Sequence, residues 1–475
     1  MKKLLASTIT SILCLSATGF ASDLSFTVKL KNNANINSIN SLNTSNLESI
    51  AKLTNIQKQN NQYVFVFKTD DNAQSIAIND ANMQDADNFH KAMEITRALQ
   101  KDDSIEYAVY RGVKMKAIGY KSPNLMVKTD TTSGDGSRWN EQWDMHGKYS
   151  VHAYSAWNIL KNKQLSDVTV AITDTGIAAN APNDINNHVI RGLYFSQSGS
   201  DPVTFTTDPT DNGPGSGFHG THVAGTIGAQ GPVVYGVTAK WPSSIKLVAV
   251  KVLGDNGSGS FDAVDAGVEW AVGAKPGYDM IPSSAPGNVN PAQVVNLSLG
   301  AQKQPWTSDQ DWNTFAQEYC KKWQYVVVAA HQHNATLVIA AGNGNFYGPT
   351  DVADSLPAGC TNGNSVIVSA TGPEGKMAFY SNTTNNPKTL GNNVAVKAPG
   401  GNDSSYNDTA KQILSTINNG YGFMQGTSMA TPHVVGVAAL IYAVNGGSNY
   451  SYKDVQTKLE ESTTDGILDA SKAIQ

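Results

Sequence analysis

The sequence predicts an α/β fold built on a parallel β-sheet. From Trp139 onward, apolar segments of buried-strand type alternate with helical segments, which is the pattern of a parallel sheet with right-handed crossovers. Polar residues stand just past two of these strands, Asp174 after the first and Asn343 after a later one. Sites in such sheets gather at the carboxyl ends of the strands. A chain of 475 residues has room for two or three domains and a large core.

Residues 1–21 have the plan of a secretory signal peptide. Two lysines precede the apolar run Leu4–Leu15, which is too short to span a bilayer, and small residues stand at Gly19 and Ala21, where cleavage is determined. We therefore expect export to the extracellular space or the periplasm, without a membrane anchor.

Residues 22–120 have the composition of a small α+β module. Two strands, a helix and a further strand are predicted at Phe26–Leu30, Tyr63–Phe67, Phe89–Gln100 and Ile105–Tyr110. Residues 121–138 are rich in Ser, Thr, Gly and Asp, which is typical of an exposed linker.

Residues 139–475 form the predicted α/β domain, with which we expect the chain to end. Five strands are predicted at Val168–Ile172, Lys246–Leu253, Val294–Leu299, Thr336–Ala341 and Ser365–Ala370. The helices between and after them are predicted at His219–Gly228, Phe261–Gly273, Phe315–His333 and Thr427–Asn445.

Charge and cysteine content narrow the function. The chain carries 34 Lys+Arg against 39 Asp+Glu, a net charge of -5, which does not favour nucleic acid as a ligand. Removal of Cys14 with the signal peptide leaves Cys320 and Cys360. In an oxidising compartment these two can form a disulfide; the alternative is two buried free thiols.

Three segments carry an acid, a base and a nucleophile, in that order along the chain: Ala171–Gly176, His219–Gly225 and Gly426–Pro432. A serine hydroxyl needs a neighbouring base, and the base needs a carboxylate that fixes its tautomer. Taken alone, Ser428 could be a helix N-cap. The order Asp, His, Ser distinguishes this set from the chymotrypsin and α/β-hydrolase orders. From about Trp139 to its end the chain therefore resembles the subtilisin-like serine proteases, the subtilases.

The resemblance implies a three-layer subtilisin-like peptidase domain with Asp174 as the orienting acid, His219 as the base and Ser428 as the nucleophile. His222 competes for the base role, but the family pattern places the base at the first histidine. Asn343 resembles the oxyanion-hole residue; the alternative is a turn asparagine in a left-handed conformation. The substrate-binding edges implied by the resemblance include Gly257, Gly259, Ser298, Leu299, Gly300, Ala341 and Gly342, with Ser355 near the floor of the primary pocket.

The α+β module resembles the propeptide of this family, which assists folding and inhibits the enzyme until it is cut. We expect self-cleavage between Met115 and Arg138; the alternative is a permanent accessory domain. The chemistry requires no cofactor. The family also suggests structural calcium with unassigned ligands, for which Asp201, Asp208 and Asp211 are candidates, although a solvated loop fits them as well. We interpret His331 and His333 as a solvated or dipole-capping pair.

The sequence thus predicts a secreted serine endopeptidase that hydrolyses peptide bonds through an acyl-enzyme and is made as a self-processing zymogen. Its partners are then protein or peptide substrates and its own propeptide. One alternative is a catalytically inactive binding protein of the same fold. Another is an esterase, which would need a Gly-x-Ser-x-Gly elbow that the chain lacks around Ser428.

Overall fold

The computed structural model describes residues 23–31, 34, 47, 50–69, 81–117, 119–121, 136–345, 347–405 and 407–475. The predicted signal peptide and most of the predicted linker, residues 122–135, lie outside the described residues.

The N-terminal domain, comprising the described residues up to Lys121, is an antiparallel sheet with one long helix. Strand order across the sheet is Ala51–Gln59, Gln62–Thr69, Asp23–Leu30 and Ile105–Tyr110. The helix Ala81–Leu99 begins earlier than the predicted Phe89. Strand Ala51–Gln59 was not predicted, because most of its side chains are polar and face solvent at the edge of the sheet. Two further short strands, Lys114–Ala117 and Tyr120–Lys121, follow.

The second domain, residues 136–475, is called the protease domain after the family that its sequence resembles, and it is organised around an eight-stranded sheet, here called the central sheet. Its strand order is Thr204–Thr206, Val189–Ser196, Ile245–Lys251, Val168–Asp174, Val294–Leu297, Thr336–Ala340, Val366–Thr371 and Val394–Pro399. All neighbours are parallel except the first pair. This confirms the predicted parallel α/β fold.

Helices cover both faces of the central sheet, which gives three layers. Successive strand residues such as Ala171 and Ile172 point to opposite faces of the sheet and belong to two different apolar clusters, as expected when both faces are buried. One face carries the histidine helix, His219–Gly228, and the serine helix, Thr427–Val444. The other carries the docking helices, Phe261–Val272 and Asp309–Gln332.

The remaining elements are short. The other α-helices are Trp143–His146, Ala153–Leu160, Asn183–Asn186, Pro387–Leu390, Tyr452–Glu461 and Ala470–Ala473, with 3₁₀ turns at Trp139–Glu141, Val352–Asp354, Thr409–Lys411 and Gly447–Asn449. The other strands are Ile177–Ala178, Thr210–Asp211, Ser258–Ser260, Leu299–Gln302, Ser355–Leu356, Ile413–Ile417, Gly420–Gln425, Thr463–Thr464 and Ile467–Leu468.

The predicted strand Val294–Leu299 is wrong in one respect, because the chain leaves the central sheet at Ser298. Val294–Leu297 stays in that sheet, whereas Leu299–Gln302 joins a separate small sheet. The second docking helix begins at Asp309 rather than Phe315, since Ser308 accepts a hydrogen bond from the Asp311 N–H at 3.1 Å and caps it.

Cys320 and Cys360 form a disulfide with a Cα–Cα distance of 5.2 Å. The bond ties the second docking helix to the loop that follows Ser355–Leu356. Of the two states left open by the sequence, the structure therefore has the bridge. Among the described helices, Thr427–Val444 alone is long and apolar enough to cross a membrane, and 94% of it is buried in the core.

The N-terminal domain packs on the docking helices and shares one apolar cluster with them. Three ion pairs and one histidine–carboxylate pair are described across this interface: Lys29–Asp279, Arg97–Asp311 and Arg111–Asp262, and His90–Asp311. In each pair the N-terminal domain supplies the base and the protease domain the carboxylate. We call this set the charged interface.

Candidate active site

Asp174 and His219 form a buried pair at the carboxyl end of the central sheet. Asp174 is the last residue of its strand, and His219 is the first residue of the histidine helix. His219 Nδ1 lies 2.8 Å and 3.0 Å from the two carboxylate oxygens of Asp174. A neutral ring that donates from Nδ1 keeps its lone pair on Nε2, so the pair presents a base at Nε2.

The pair depends on a close approach of two backbone segments. A Cβ added at Gly220 would lie 2.3 Å from the carbonyl oxygen of Gly176. Only glycine therefore lets the start of the histidine helix sit against the turn that follows Asp174.

A second buried carboxylate, Asp211, supports this pair through Thr175. The Thr175 hydroxyl donates to Asp211 Oδ2 at 2.6 Å and accepts from the Gly220 N–H at 2.9 Å. The Thr175 N–H donates to Asp174 Oδ1 at 2.7 Å. Burial raises the pKa of Asp211, and hydrogen bonds from Thr175 and Ser216 oppose the rise. Sequence reasoning missed this arrangement, because no motif marks Asp211 as a partner of Thr175.

Structural calcium stays a prediction with unassigned ligands, and in this structure donors of the protein itself bond to the Asp211 carboxylate. Its oxygens accept hydrogen bonds from Thr175, Ser216 and the Gly213 N–H. Asp208 Oδ1 instead accepts from the Thr210 N–H within its own loop. In the part of the chain that the structure describes, no group of three or more His, Cys, Asp or Glu residues could hold a metal ion.

Ser428 is the second residue of the serine helix, at its N-terminus. Its hydroxyl donates to the Ser298 carbonyl at 2.9 Å, and the Ser298 hydroxyl donates to the Ser428 carbonyl at 2.9 Å. His219 Nε2 is buried and has no hydrogen-bond partner in the described structure. The structure therefore brings Asp174 and His219 together and leaves the Ser428 hydroxyl bonded to Ser298.

Asn343 lies close to the start of the serine helix. Its Oδ1 accepts from the Thr427 N–H at 2.9 Å and from the Thr427 hydroxyl at 2.8 Å. These two donors fix the orientation of the side-chain amide, whose Nδ2 group is then the donor that can serve a substrate oxygen. The φ of Asn343 is not positive, unlike that of Gly342 and Gly344 beside it, so a left-handed turn does not explain this asparagine.

A strand of the N-terminal domain occupies the predicted substrate-binding edges. Lys114–Ala117, here called the cleft strand, pairs antiparallel with Ser258–Ser260 on one side and Leu299–Gln302 on the other. Met115 is opposite Gly259, Lys116 is opposite Gly300, and the Ala117 N–H donates to the Gly257 carbonyl at 2.9 Å. Four of the predicted binding residues, Gly257, Gly259, Leu299 and Gly300, thus hold an extended segment of the same chain.

Beyond the cleft strand the chain passes the Asp174–His219 pair. A Cβ added at Gly119 would lie 3.3 Å from His219 Nε2, so the backbone of Gly119 packs on the imidazole. Tyr120 then pairs with Gln425, three residues before Ser428. Ile118, between Ala117 and Gly119, lies outside the described residues.

Ser355, which the resemblance places near the floor of the primary pocket, lies beside Gly342, and its role in the pocket stays a prediction. Ser355 pairs with Gln302 across two short strands, and a Cβ at Gly342 would lie 2.8 Å from Ser355 Oγ. A cavity of about 600 Å³ opens beside Gly300 and Asn343. Its described lining on the protease side is uncharged.

Two further histidines, His222 and His331, make contacts outside the Asp174–His219 pair. His222 is fully buried, bonds to the Ile413 and Gly422 carbonyls, and has a pKa that burial lowers to about 3. Its ring therefore connects the histidine helix to the strands Ile413–Ile417 and Gly420–Gln425. His331 stacks on the Tyr452 ring, with centroids 4.2 Å apart, and its pKa is lowered by burial. Of the predicted solvated or dipole-capping pair, His331 lies in the last turn of the second docking helix and His333 after it is exposed.

The parallel sheet with an Asp–His pair and a helix-borne serine defines a subtilisin-like protein. The chain belongs to the subtilase family, whose sequence profile matches residues 166–474.

Named relatives and solved structures agree with this assignment. The chain is 32% identical over 340 residues to an extracellular protease of Xanthomonas campestris pv. campestris, covering 66% of this chain and 50% of the relative. It is 31% identical over 375 residues to an extracellular basic protease of Dichelobacter nodosus, covering 71% and 55%. The chain thus spans about half the length of these relatives.

Among solved structures, a protease from Pseudoalteromonas arctica superposes with a TM-score of 0.54 and 28% identity, covering 72% of this chain and 99% of that one. A leader-peptide-processing serine protease from Staphylococcus aureus has a TM-score of 0.57 and 18% identity, covering 95% and 99%. The second likeness concerns the fold alone, and it extends over the N-terminal domain.

Proposed function

We propose that this chain is a secreted serine endopeptidase made as a zymogen, and that it cuts its own N-terminal domain away. The single observation that carries the proposal is the chain threaded through the cleft, with Gly119 packed on His219 Nε2. Strand addition between two edges is how an extended peptide is recognised. The extracellular names of the relatives support secretion.

In the proposed reaction, the Ser428 hydroxyl rotates from the Ser298 carbonyl to His219 Nε2 and attacks the substrate carbonyl. His219 accepts the proton, and the Asp174 carboxylate stabilises the resulting imidazolium. The oxyanion is held by Asn343 Nδ2 and by the Ser428 N–H at the positive end of the serine helix. His219 then protonates the leaving amine, and water hydrolyses the acyl-enzyme.

The bond proposed for self-cleavage is Ile118–Gly119. The leaving amine must receive its proton from His219 Nε2, and Gly119 supplies the nitrogen of the residue packed on that ring. Pairing of Ala117 before this bond and Tyr120 after it supports the same register. The predicted interval between Met115 and Arg138 contains this bond.

The N-terminal domain acts as inhibitor and folding partner in this proposal. The cleft strand fills the binding edges, and the charged interface holds the domain on the docking helices. Because the docking helices share an apolar cluster with the N-terminal domain, their packing is incomplete without it.

The first experiment compares the wild-type chain with Ser428→Ala. We expect wild-type protein to yield a fragment that begins at Gly119, as read by intact mass and N-terminal sequencing. Ser428→Ala should accumulate uncut and lose turnover by a factor on the order of 10⁶, the loss known for subtilisin. Added active enzyme should trim the variant at the same bond.

An inactive binding protein is the competing interpretation. A serine-directed phosphonate separates the two, since it should label the wild-type chain at Ser428 and leave the alanine variant unlabelled. Failure to label correctly folded, cut wild-type protein would reject the enzyme proposal. Normal cutting of Ser428→Ala without added enzyme would assign the processing to another protease.

A further inference from the structure

A second, fully buried histidine–carboxylate pair lies on the serine helix. His433 Nε2 is 2.8 Å from Asp144 Oδ2, and His433 Nδ1 is 2.8 Å from the Met429 carbonyl oxygen. Both side chains are 0% exposed. The pair joins the short helix Trp143–His146 to the turn that carries Ser428.

This turn needs support because Pro432 lies inside the serine helix. Proline has no N–H, so the Ser428 carbonyl receives no helical hydrogen bond from residue 432. The Ser298 hydroxyl donates to the Ser428 carbonyl in its place, and the ring of His433, in the same helix, bonds the next carbonyl, that of Met429. Side chains therefore help to hold the backbone that presents the Ser428 N–H.

The hydrogen bonds fix where protons lie in the pair. A carbonyl oxygen only accepts, so His433 Nδ1 donates to Met429. A neutral ring then has only a lone pair at Nε2, and a carboxylate at 2.8 Å also only accepts. One additional proton is therefore shared between Nε2 and Asp144 Oδ2. Removal of Asp144 would abolish this shared proton.

The Asp144 segment is anchored to the protease domain at consecutive residues. Gln142 exchanges two hydrogen bonds with the backbone of Tyr235, at 2.8 Å and 2.9 Å. The Trp143 indole donates to the Gln412 carbonyl at 2.9 Å. This segment precedes residues 166–474, which match the family profile.

We propose that Asp144 is a positioning residue for catalysis: through His433 it holds the Met429 carbonyl and, with it, the turn that presents Ser428. The inference rests on the proposed function. It also sets a limit on maturation, because trimming of the linker after the Ile118–Gly119 cut has to stop before Gln142 for the enzyme to remain active.

The test compares Asp144→Ala, Asp144→Asn and Asp184→Ala in the mature enzyme. The asparagine introduced by the second variant can donate its amide to Nε2 of a neutral His433, so both ring contacts survive. Asp184 is the matched control, a buried carboxylate that accepts from the Val233 and Val234 N–H groups away from the serine helix. The kcat and KM of each protein are measured for a peptide substrate. The kcat is calculated per active site, as titrated with a phosphonate.

We expect Asp144→Ala to lower kcat between about tenfold and a hundredfold with KM within twofold, since small misplacements of reacting groups have effects of this size. Asp144→Asn should restore kcat to within about threefold of wild type. Asp184→Ala should lower the melting temperature and leave kcat unchanged. An unchanged kcat in Asp144→Ala, an equal loss in Asp184→Ala, or no rescue by asparagine would overturn the positioning role. Wild-type protein without phosphonate-reactive sites would instead reject the proposed function itself.

Discussion

Thr175 is the residue on which the two buried carboxylates near the base converge. Its hydroxyl donates to Asp211 and accepts from the Gly220 N–H, and its backbone N–H donates to Asp174. A single residue therefore connects the acid, its supporting carboxylate and the first turn of the histidine helix.

Replacing Thr175 with valine should reduce both activity and stability. Valine keeps the shape but leaves a buried Asp211 oxygen and the Gly220 N–H without this partner, which costs about 1–3 kcal/mol for each such group. We expect kcat to fall by roughly tenfold, because the first turn that carries His219 loses a fixed contact. Steady-state kinetics and urea unfolding measure the two effects.

Thr226→Val is the matched control, since the Thr226 hydroxyl donates to the His222 carbonyl one turn along the same helix. Its kcat should equal that of wild type. Equal losses in both variants would show that any lost hydroxyl in this region has the same effect, and Thr175 would have no special part.

Among the elements, the first docking helix carries an unusual buried acid. Glu269 is 0% exposed, its Oε2 accepts from the Met280 N–H at 3.2 Å, and its Oε1 has no hydrogen-bond partner in the described structure. Burial raises the pKa of Glu269 well above its ordinary value, and the nearby carboxylates Asp279 and Asp265 add to the rise.

Glu269→Gln should therefore become increasingly stabilising as pH rises. A raised pKa means that the folded chain keeps a proton that the unfolded chain loses, so the wild type loses stability as pH rises from the ordinary value of 4.5 toward the raised pKa. The slope is limited to about 1.4 kcal/mol per pH unit. Urea unfolding of the Ser428→Ala chain, with and without Glu269→Gln, should give curves that diverge between about pH 5 and pH 8; parallel curves would contradict the prediction.

The disulfide between Cys320 and Cys360 also links two elements of the protease domain. The bond closes a segment with a sequence separation of 40. In the chain-entropy relation a loop of that length is worth about 4 kcal/mol. Replacing both cysteines with serine should lower the free energy of unfolding by that order, and non-reducing mass spectrometry should find no free thiol in the wild type. Full thiol labelling of exported wild-type protein would refute the bridge.

Elements with many apolar residues could be predicted from the sequence. A strand that is held only by backbone pairing with distant segments could not. The strand before Asp174 and the serine helix are apolar along their length, so composition reveals them. The cleft strand, Lys-Met-Lys-Ala, has no such pattern, because edges distant in the chain bind its main chain. The contacts of Asp211 with Thr175 and of Asp144 with His433 were missed for a related reason, because each joins side chains that are distant in sequence and carry no local motif.

At the scale of the whole molecule, the two domains contribute groups of opposite type to the charged interface. Every pair of the charged interface puts its base on the N-terminal domain and its carboxylate on the protease domain. Burial alone would raise the pKa of Asp311, but hydrogen bonds from His90 and Arg97 outweigh it and the pKa is lowered. Asp311 thus stays ionised into acid, and the contribution of its own charge to the interface is lost as pH falls through that lowered pKa.

Arg97→Gln should therefore loosen the cut N-terminal domain from the protease domain. Arg97 NH1 lies 2.8 Å from Asp311 Oδ1, and their side chains are 28% and 7% exposed, so water screens the pair only in part. Loss of one partner leaves a mostly buried carboxylate less well paired, and we expect at least about tenfold weaker association. Size-exclusion chromatography of the self-cleaved protein across a salt series measures how much N-terminal domain co-elutes.

Lys91→Gln is the control, because Lys91 pairs with Asp87 on the same helix and not across the interface. Co-elution that is the same in all three proteins at every salt concentration would mean that apolar contact alone holds the domains together.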